Sequence, residues 1–484
     1  MAASAPHNST SAAKPTPPMV RGAPIIGNLR EFTRSRKDLF QRGLDQYGPI
    51  FGIKLANRPA AVLVGPEYQE FFFNETDKAL SMNKTYRFLA AALGEVGFAA
   101  SPETYALQRP VMTRPFKAEK MHTYLRVMHA EVQQWLDTLG DAGEFELVSS
   151  MVTLVQNVAS HALMGKDFRD RAGVEFWELY GILSKSLDPA LPPNLPLPKF
   201  IRRDRAKAKL RTMLRPIIAE RRANPAGYDD FLQDFVMTPL ASGRHADDET
   251  IISMVTALMF AGHETTVGQA AWTIIQLLQH PDYLAELRRE LDQHVIPGHP
   301  IDAKTLRALE HTQWAVQETG RMHPSADLLL RLAEQDLDVG AYRIPKGWMV
   351  IVSGAAAHFL PELFSNPQQY DPLRFGPDRA EDKRRRFSMI GFGGGLHKCT
   401  GMNFANNEMA IISALLFQQF DLTLRTPNPQ PSRDSGATRP SPTLIQYRRR
   451  AVAAVDPAVA AAAAAAGCPH MQAVVAAQPA DPAA

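Results

Sequence analysis

The chain has 484 residues, 45% of them apolar and 21% charged, with a formal net charge of +3. That is enough apolar matter for a large core, and it lacks the basic excess that marks a nucleic-acid binder. Only two cysteines are present, Cys399 and Cys468, which excludes a disulfide scaffold and any multi-cysteine zinc or iron–sulfur centre.

At ~150 residues per domain the length would allow about three domains, but no Gly/Ser-rich or charged linker divides the middle of the chain. The expected organisation is a disordered segment at 1–20, one mostly helical domain at 21–450 and an Ala/Pro-rich tail at 451–484. Residues 1–20 are rich in Ala, Ser, Thr and Pro. They contain neither the apolar run of a membrane helix nor that of a signal peptide, so a soluble, cytoplasmic protein without a stable membrane anchor is expected. A helix is expected from Asp38 to Tyr47, stopped by Gly48-Pro49. Ile50 to Leu55 and Ala60 to Val64 read as two short strands around Asn57-Arg58-Pro59. Residues 86–101 are apolar without a clean period. Glu131 to Leu139 and Ser149 to Met164 read as helices. The proline-rich run 187–200 breaks helicity, and the basic segment 202–222 is helical, with a kink expected at Pro216. The fold class is mainly α with a small β portion.

Asp247-Asp248 can cap a helix running to Gln279, about 50 Å long at 1.5 Å per residue. Its apolar centre is interrupted by Ala261-Gly262-His263-Glu264-Thr265-Thr266. Small residues leave room for a ligand against the helix. The Thr265 hydroxyl can draw off a backbone bond, and the Glu264 carboxylate and Thr265 hydroxyl can relay protons from water. Further on, Glu318 and Arg321 share a helix face. Residues 392–401 read Phe-Gly-Gly-Gly-Leu-His-Lys-Cys-Thr-Gly. The glycines allow close backbone approach to something flat, and Cys399 is delivered to the start of a helix at Met402 to Phe420. A thiolate there is stabilised by free amides and suits an iron centre. A buried structural cysteine would also satisfy this loop taken alone.

The spacing of Phe392, Gly395, Cys399 and Gly401 resembles the haem-binding signature of the cytochrome P450 family, and the resemblance runs over most of the chain. It is nearest to bacterial sterol 14α-demethylase-like members. It implies the P450 fold, a haem b cofactor ligated by Cys399, and electrons from NAD(P)H through a ferredoxin- or flavodoxin-type partner with its reductase. The implied reaction inserts one oxygen into an apolar substrate: a sterol or, alternatively, another lipid, steroid or terpenoid. A non-catalytic haem sensor or carrier is the remaining reading. Tyr86, Arg109, Arg331 and His397 match positions that hold the haem propionates. Thr265 and Glu264 match the acid–alcohol pair. Glu318, Arg321 and Arg374 match a buried network behind the cysteine loop. Three positions depart from the sterol demethylase pattern. Ala91 and Leu93 stand where Pro and Phe are usual, and Glu264 stands where His is usual. Lys383 to Arg386, with Lys398, Arg114 and Lys117, form a candidate surface for an acidic electron donor. In the tail, Cys468-Pro469-His470-Met471 offers a remote metal-binding possibility.

Overall fold

The computed structural model describes residues 14–189, 191–432 and 437–450; Cys468 and its neighbours lie outside them. Apolar residues recurring every three or four positions produce helices with one buried stripe. Helix α1 (Ala118–Asp137) buries Tyr124, Leu125, Met128, Val132 and Leu136 in this way. It packs on α2 (Leu147–Met164), capped by the Glu146 carboxylate. Further along, α3 (Pro198–Ala223) contains Pro216 and stays one helical segment. Among the described helices α2 alone is long and apolar enough to cross a membrane, and it is largely packed inside the molecule.

The axis of the fold is α4 (Asp248–Gln279), 32 residues long, whose Asp247 cap accepts the Thr250 N–H at 2.8 Å. It packs on α2, on α5 (Glu310–Met322) and on α6 (Met402–Gln419). The expected boundaries of this helix and of the one after Cys399 hold to within a residue.

The β portion is a five-stranded sheet. It comprises β1 (Ile50–Leu55), β2 (Arg58–Leu63), β3 (Leu80–Ser81), β4 (Leu328–Ala333) and β5 (Met349–Ser353) in the order β1-β2-β5-β4-β3. Strand β2 starts two residues earlier than expected. Pro59 stands second in the strand, near the start where a missing N–H is tolerated, and the turn falls on Ala56-Asn57, with Ala56 left-handed. A separate three-stranded sheet places Leu444–Arg449 between Ala142–Glu146 and Phe420–Leu424.

One stretch corrects the sequence reading. Residues 14–20, assigned to the disordered segment, are tied down. Gly52 and Pro18 and then Val20 and Gly52 exchange backbone bonds at 2.8 Å, and Arg343 donates to the Pro15 carbonyl. The aperiodic stretch 86–101 agrees with its reading: it runs from the end of helix Met82–Tyr86 through a 3₁₀ turn Arg87–Leu89, helix Ala90–Leu93 and a 3₁₀ turn Gly97–Ala99. No single period could describe it.

Candidate functional site

The glycine loop is held by packing. Gly393 and Gly395 have φ of +69° and +63°, a region that costs other residues strain. A side chain on Gly394 would meet the Phe73 and Phe387 rings at 2.7 Å. The loop closes with the Cys399 N–H on the Phe392 carbonyl at 2.9 Å. Gly401 leaves room for Phe116, which a Cβ there would approach to 3.3 Å. Surrounding protein pushes the Cys399 thiol up, with the Gly401 amide and the Lys398 charge opposing. The helix start therefore does not by itself ionise this cysteine; burial outweighs it, and a bound metal cation would reverse the balance. Despite that burial Cys399 keeps accessible surface.

A second opening lies in the middle of α4. Most of the helix is buried, yet Ala261 and Gly262 are exposed, and nothing lies within 4 Å of where a Gly262 Cβ would be. One turn on, the Thr265 hydroxyl donates to the Ala261 carbonyl at 2.8 Å, the backbone diversion expected of it. Glu264 accepts from Arg439 Nη1 at 3.3 Å and has His263 Nδ1 at 3.6 Å. His263 packs on Trp177 with ring centroids 4.8 Å apart, and burial lowers its pKa. Arg439 was not anticipated. It sits 175 positions from Glu264 on a two-residue strand, and nothing local in the sequence links them.

A third group gathers around Asp77. His397 Nε2 lies 2.5 Å from the Asp77 carboxylate, and the His397 ring packs on Tyr105 at 4.2 Å. Tyr105 donates to the Leu396 carbonyl at 3.3 Å and adjoins the exposed Arg109. Buried Arg331 bonds Thr76 Oγ1 at 3.2 Å, lies over the Phe72 ring and feels the Asp77 charge. Tyr86 is beside Arg331, its phenol pushed up by burial. The structure thus brings together Tyr86, Arg109, Arg331 and His397. The carboxylate among them, Asp77, was missed by the sequence reading.

Behind the loop lies a buried ion network. Glu318 accepts from Arg321 at 2.7 and 2.8 Å and from Arg374 at 3.1 Å, all three side chains fully enclosed. A fourth member, Glu381, accepts from Arg374 at 2.7 Å, from Arg379 and from the Ser365 hydroxyl. Burial opposes its ionisation, but those hydrogen bonds hold its carboxyl down at about 2. The network reaches the loop through His358. Its Nδ1 donates to the Arg321 carbonyl at 3.1 Å, and its Nε2 accepts the Ile390 N–H at 2.9 Å, two residues before Phe392. Burial lowers His358 to about 4, so it holds this tautomer uncharged.

These residues fit a flat, metal-bearing group with anionic edges. There is an accessible thiol on the glycine loop, a side-chain-free notch on α4, and a rim of two arginines, a histidine and a phenol. The sequence model of the Cytochrome P450 family matches residues 17–447. The chain belongs to the cytochrome P450 family. It is 32% identical over 451 residues to a sterol 14α-demethylase of Mycolicibacterium vanbaalenii, covering 91% of this chain and 99% of that one. It is 30% identical to an obtusifoliol 14-alpha demethylase of Sorghum bicolor, covering 90% and 91%. Among solved structures, the retinoic acid-bound cyanobacterial CYP120A1 superposes with a TM-score of 0.78 at 26% identity, covering 90% of this chain and all of that one. The heme domain of cytochrome P450DA, at 20% identity and TM-score 0.79, supports the fold. As a P450 the protein is a monooxygenase that uses haem b. It receives electrons from NAD(P)H through a redox partner and acts on an apolar substrate. The non-catalytic reading is set aside by this membership.

Proposed function

We propose that Cys399 is the thiolate ligand of the haem iron and that the substrate is a rigid apolar lipid of the sterol or terpenoid class. When bound, the haem activates dioxygen and a thiolate ligand favours cleavage of the O–O bond. Arg331, Arg109, His397 and Tyr86 hold the propionates by charge and hydrogen bonding. Phe392, Gly395 and Gly401 keep the loop close enough for the sulfur to reach. Glu264 takes a proton from water on the Arg439 side of α4, and Thr265 passes it into the notch. Ala261 and Gly262 leave the space in which dioxygen and the substrate carbon meet. The single observation that carries this reading is the open notch at Ala261–Gly262 in the same molecule as an open cysteine on a packed glycine loop.

Relatives named for sterols, and a neighbour bound to retinoic acid, support a rigid apolar substrate. A lipid other than a 14α-methyl sterol is the second reading. Ala91, Leu93 and Glu264 favour it, because they change the wall and the proton carrier at positions where the sterol demethylase pattern has other residues. Electrons come from a ferredoxin or flavodoxin. It docks on exposed Lys383, Arg384 and Arg385 with Lys117 and Lys398; Arg386 and Arg114 are partly committed to Glu70 and Glu119. The protein works in the cytoplasm. The test is turnover of the haem-loaded enzyme with NAD(P)H, a ferredoxin and its reductase under labelled dioxygen. Label from dioxygen is expected in the product or, where a methyl is removed, in the one-carbon fragment released from it. Label in neither, or no product from any sterol or terpenoid offered, refutes the proposal.

A further inference from the structure

One glycine of α4 is not accounted for by the notch. Gly268 lies one turn past Thr265, buried in the middle of the helix, where glycine is destabilising relative to alanine. Ala270 and Ala271 show that this part of the helix accepts a buried methyl, so a need for small residues does not explain Gly268. The reason is a backbone. A Cβ on Gly268 would stand 2.5 Å from the Thr438 carbonyl oxygen, 3.1 Å from Ser325 Oγ and 3.3 Å from Arg439 Cβ. The first of these is main chain and cannot swing aside as a side-chain tip can. A carbon against a carbonyl oxygen needs about 3.3 Å, so a methyl here would drive the facing chain back by roughly 0.8 Å.

The facing chain carries Arg439. Arg439–Pro440 is a two-residue strand paired with Pro431–Ser432. Just before it, the Thr438 N–H donates to the Ser325 carbonyl at 2.9 Å, three residues ahead of β4. Glu264 precedes Gly268 by four residues, so the two share a helix face. The close seat of the strand on that face brings Arg439 to Glu264. Their contact is 3.3 Å, already at the long end of a hydrogen bond. A retreat of roughly 0.8 Å would carry it to about 4 Å, the limit at which two charges count as paired.

We propose that Gly268 is a positioning residue for proton delivery. By admitting the Thr438 carbonyl it seats residues 438–439 on α4 and so holds the Arg439 guanidinium at Glu264. It acts only through Arg439. The inference rests on the reading of Glu264 as the proton carrier.

The test uses the full-length, haem-loaded protein and a Gly268→Ala variant. Amide exchange at Thr438 should quicken in the variant, because the N–H bond to Ser325 depends on the seat. Coupling between Glu264 and Arg439 is read from urea unfolding of Glu264→Gln, Arg439→Gln and the pair combined. In the wild-type background it should be about two- to fivefold in the unfolding equilibrium constant, as for a part-exposed pair. In the Gly268→Ala background it should vanish. Product formed per NAD(P)H should fall equally in Gly268→Ala, in Arg439→Gln and in their combination, since each loses the same contact. Gly181→Ala, where a Cβ meets nothing within 4 Å, should change none of these. Coupling that survives Gly268→Ala overturns the inference, and so does a further loss of product in the combined variant. Global unfolding of Gly268→Ala, in place of local exchange around Thr438, also overturns it, because the glycine would then serve the whole fold. If Glu264→Gln leaves product per NAD(P)H unchanged, the proton reading fails and the inference with it. A proton reading that holds while the coupling survives strikes the seat alone.

Discussion

Glu381→Gln probes the scaffold beneath the cysteine loop. The Glu381 carboxyl falls from an ordinary 4.5 to about 2, against burial, through bonds from Ser365, Arg379 and Arg374. At about 1.36 kcal/mol per pH unit, the folded protein gains roughly 3 kcal/mol from keeping this group ionised. The sign follows from the direction. A lowered carboxylate contributes fully above the unfolded value of 4.5, and its contribution fades as pH drops towards 2. Removing one partner of a buried pair costs a similar amount, about 3–5 kcal/mol, because the arginines stay enclosed. The assay is urea unfolding of wild type and variant side by side. A gap of roughly 3 kcal/mol should be flat from pH 7 to about pH 5 and should narrow below that. A gap under about 1 kcal/mol, the range of an exposed pair, or one that does not change with pH, would refute the reasoning. Because His358 carries the network to Ile390, the variant should also lose haem faster, measured by transfer of haem to excess apomyoglobin.

Cys399→Ser should leave the fold intact by circular dichroism while abolishing the thiolate-type carbon monoxide difference spectrum of the reduced protein; an unchanged spectrum would overturn the ligand assignment. Thr265→Ala and Glu264→Gln should each lower product formed per NAD(P)H consumed by about tenfold or more, the usual scale of proton-transfer contributions, with the remainder appearing as peroxide. Arg439→Gln should lose less, because the ion pair it makes is part-exposed and worth about 1 kcal/mol; a loss as large as that of Glu264→Gln would mean that Arg439 does more than hold the carboxylate. Arg384→Glu with Arg385→Glu should slow reduction by an acidic ferredoxin several-fold at low salt and little at high salt, as stopped-flow rates would record.

Where a local steric demand selects the residue, it was readable in advance. A helix of 32 residues announces itself by its cap and its apolar run, and Ala261-Gly262 stands out because small residues are wasteful in a core unless something occupies the space. The cysteine loop was legible for the same reason. Gly393 and Gly395 sit at positive φ, and Gly394 sits against two rings, so each glycine answers a separate steric demand. Residues whose role depends on a distant partner stayed hidden. Asp77, Arg439 and Glu381 are ordinary charges in sequence, and only the fold makes them neighbours of His397, Glu264 and Arg374. The stretch after Ser81 was opaque for another reason: helices of four or five residues carry too few turns to show a period.

The hidden partners share a logic. His397 and Glu264 carry or accept charge at a site where burial makes an unpaired charge expensive. Each has an oppositely charged neighbour supplied by a different element, Asp77 after β2 and Arg439 near the end of the described residues. The Glu264–Arg439 pairing at 3.3 Å is partly exposed, so water can compete for it. The fully enclosed Glu318–Arg321–Arg374 pairs lie at the other extreme, where exchange with water is blocked and the arrangement can serve only to hold the loop still.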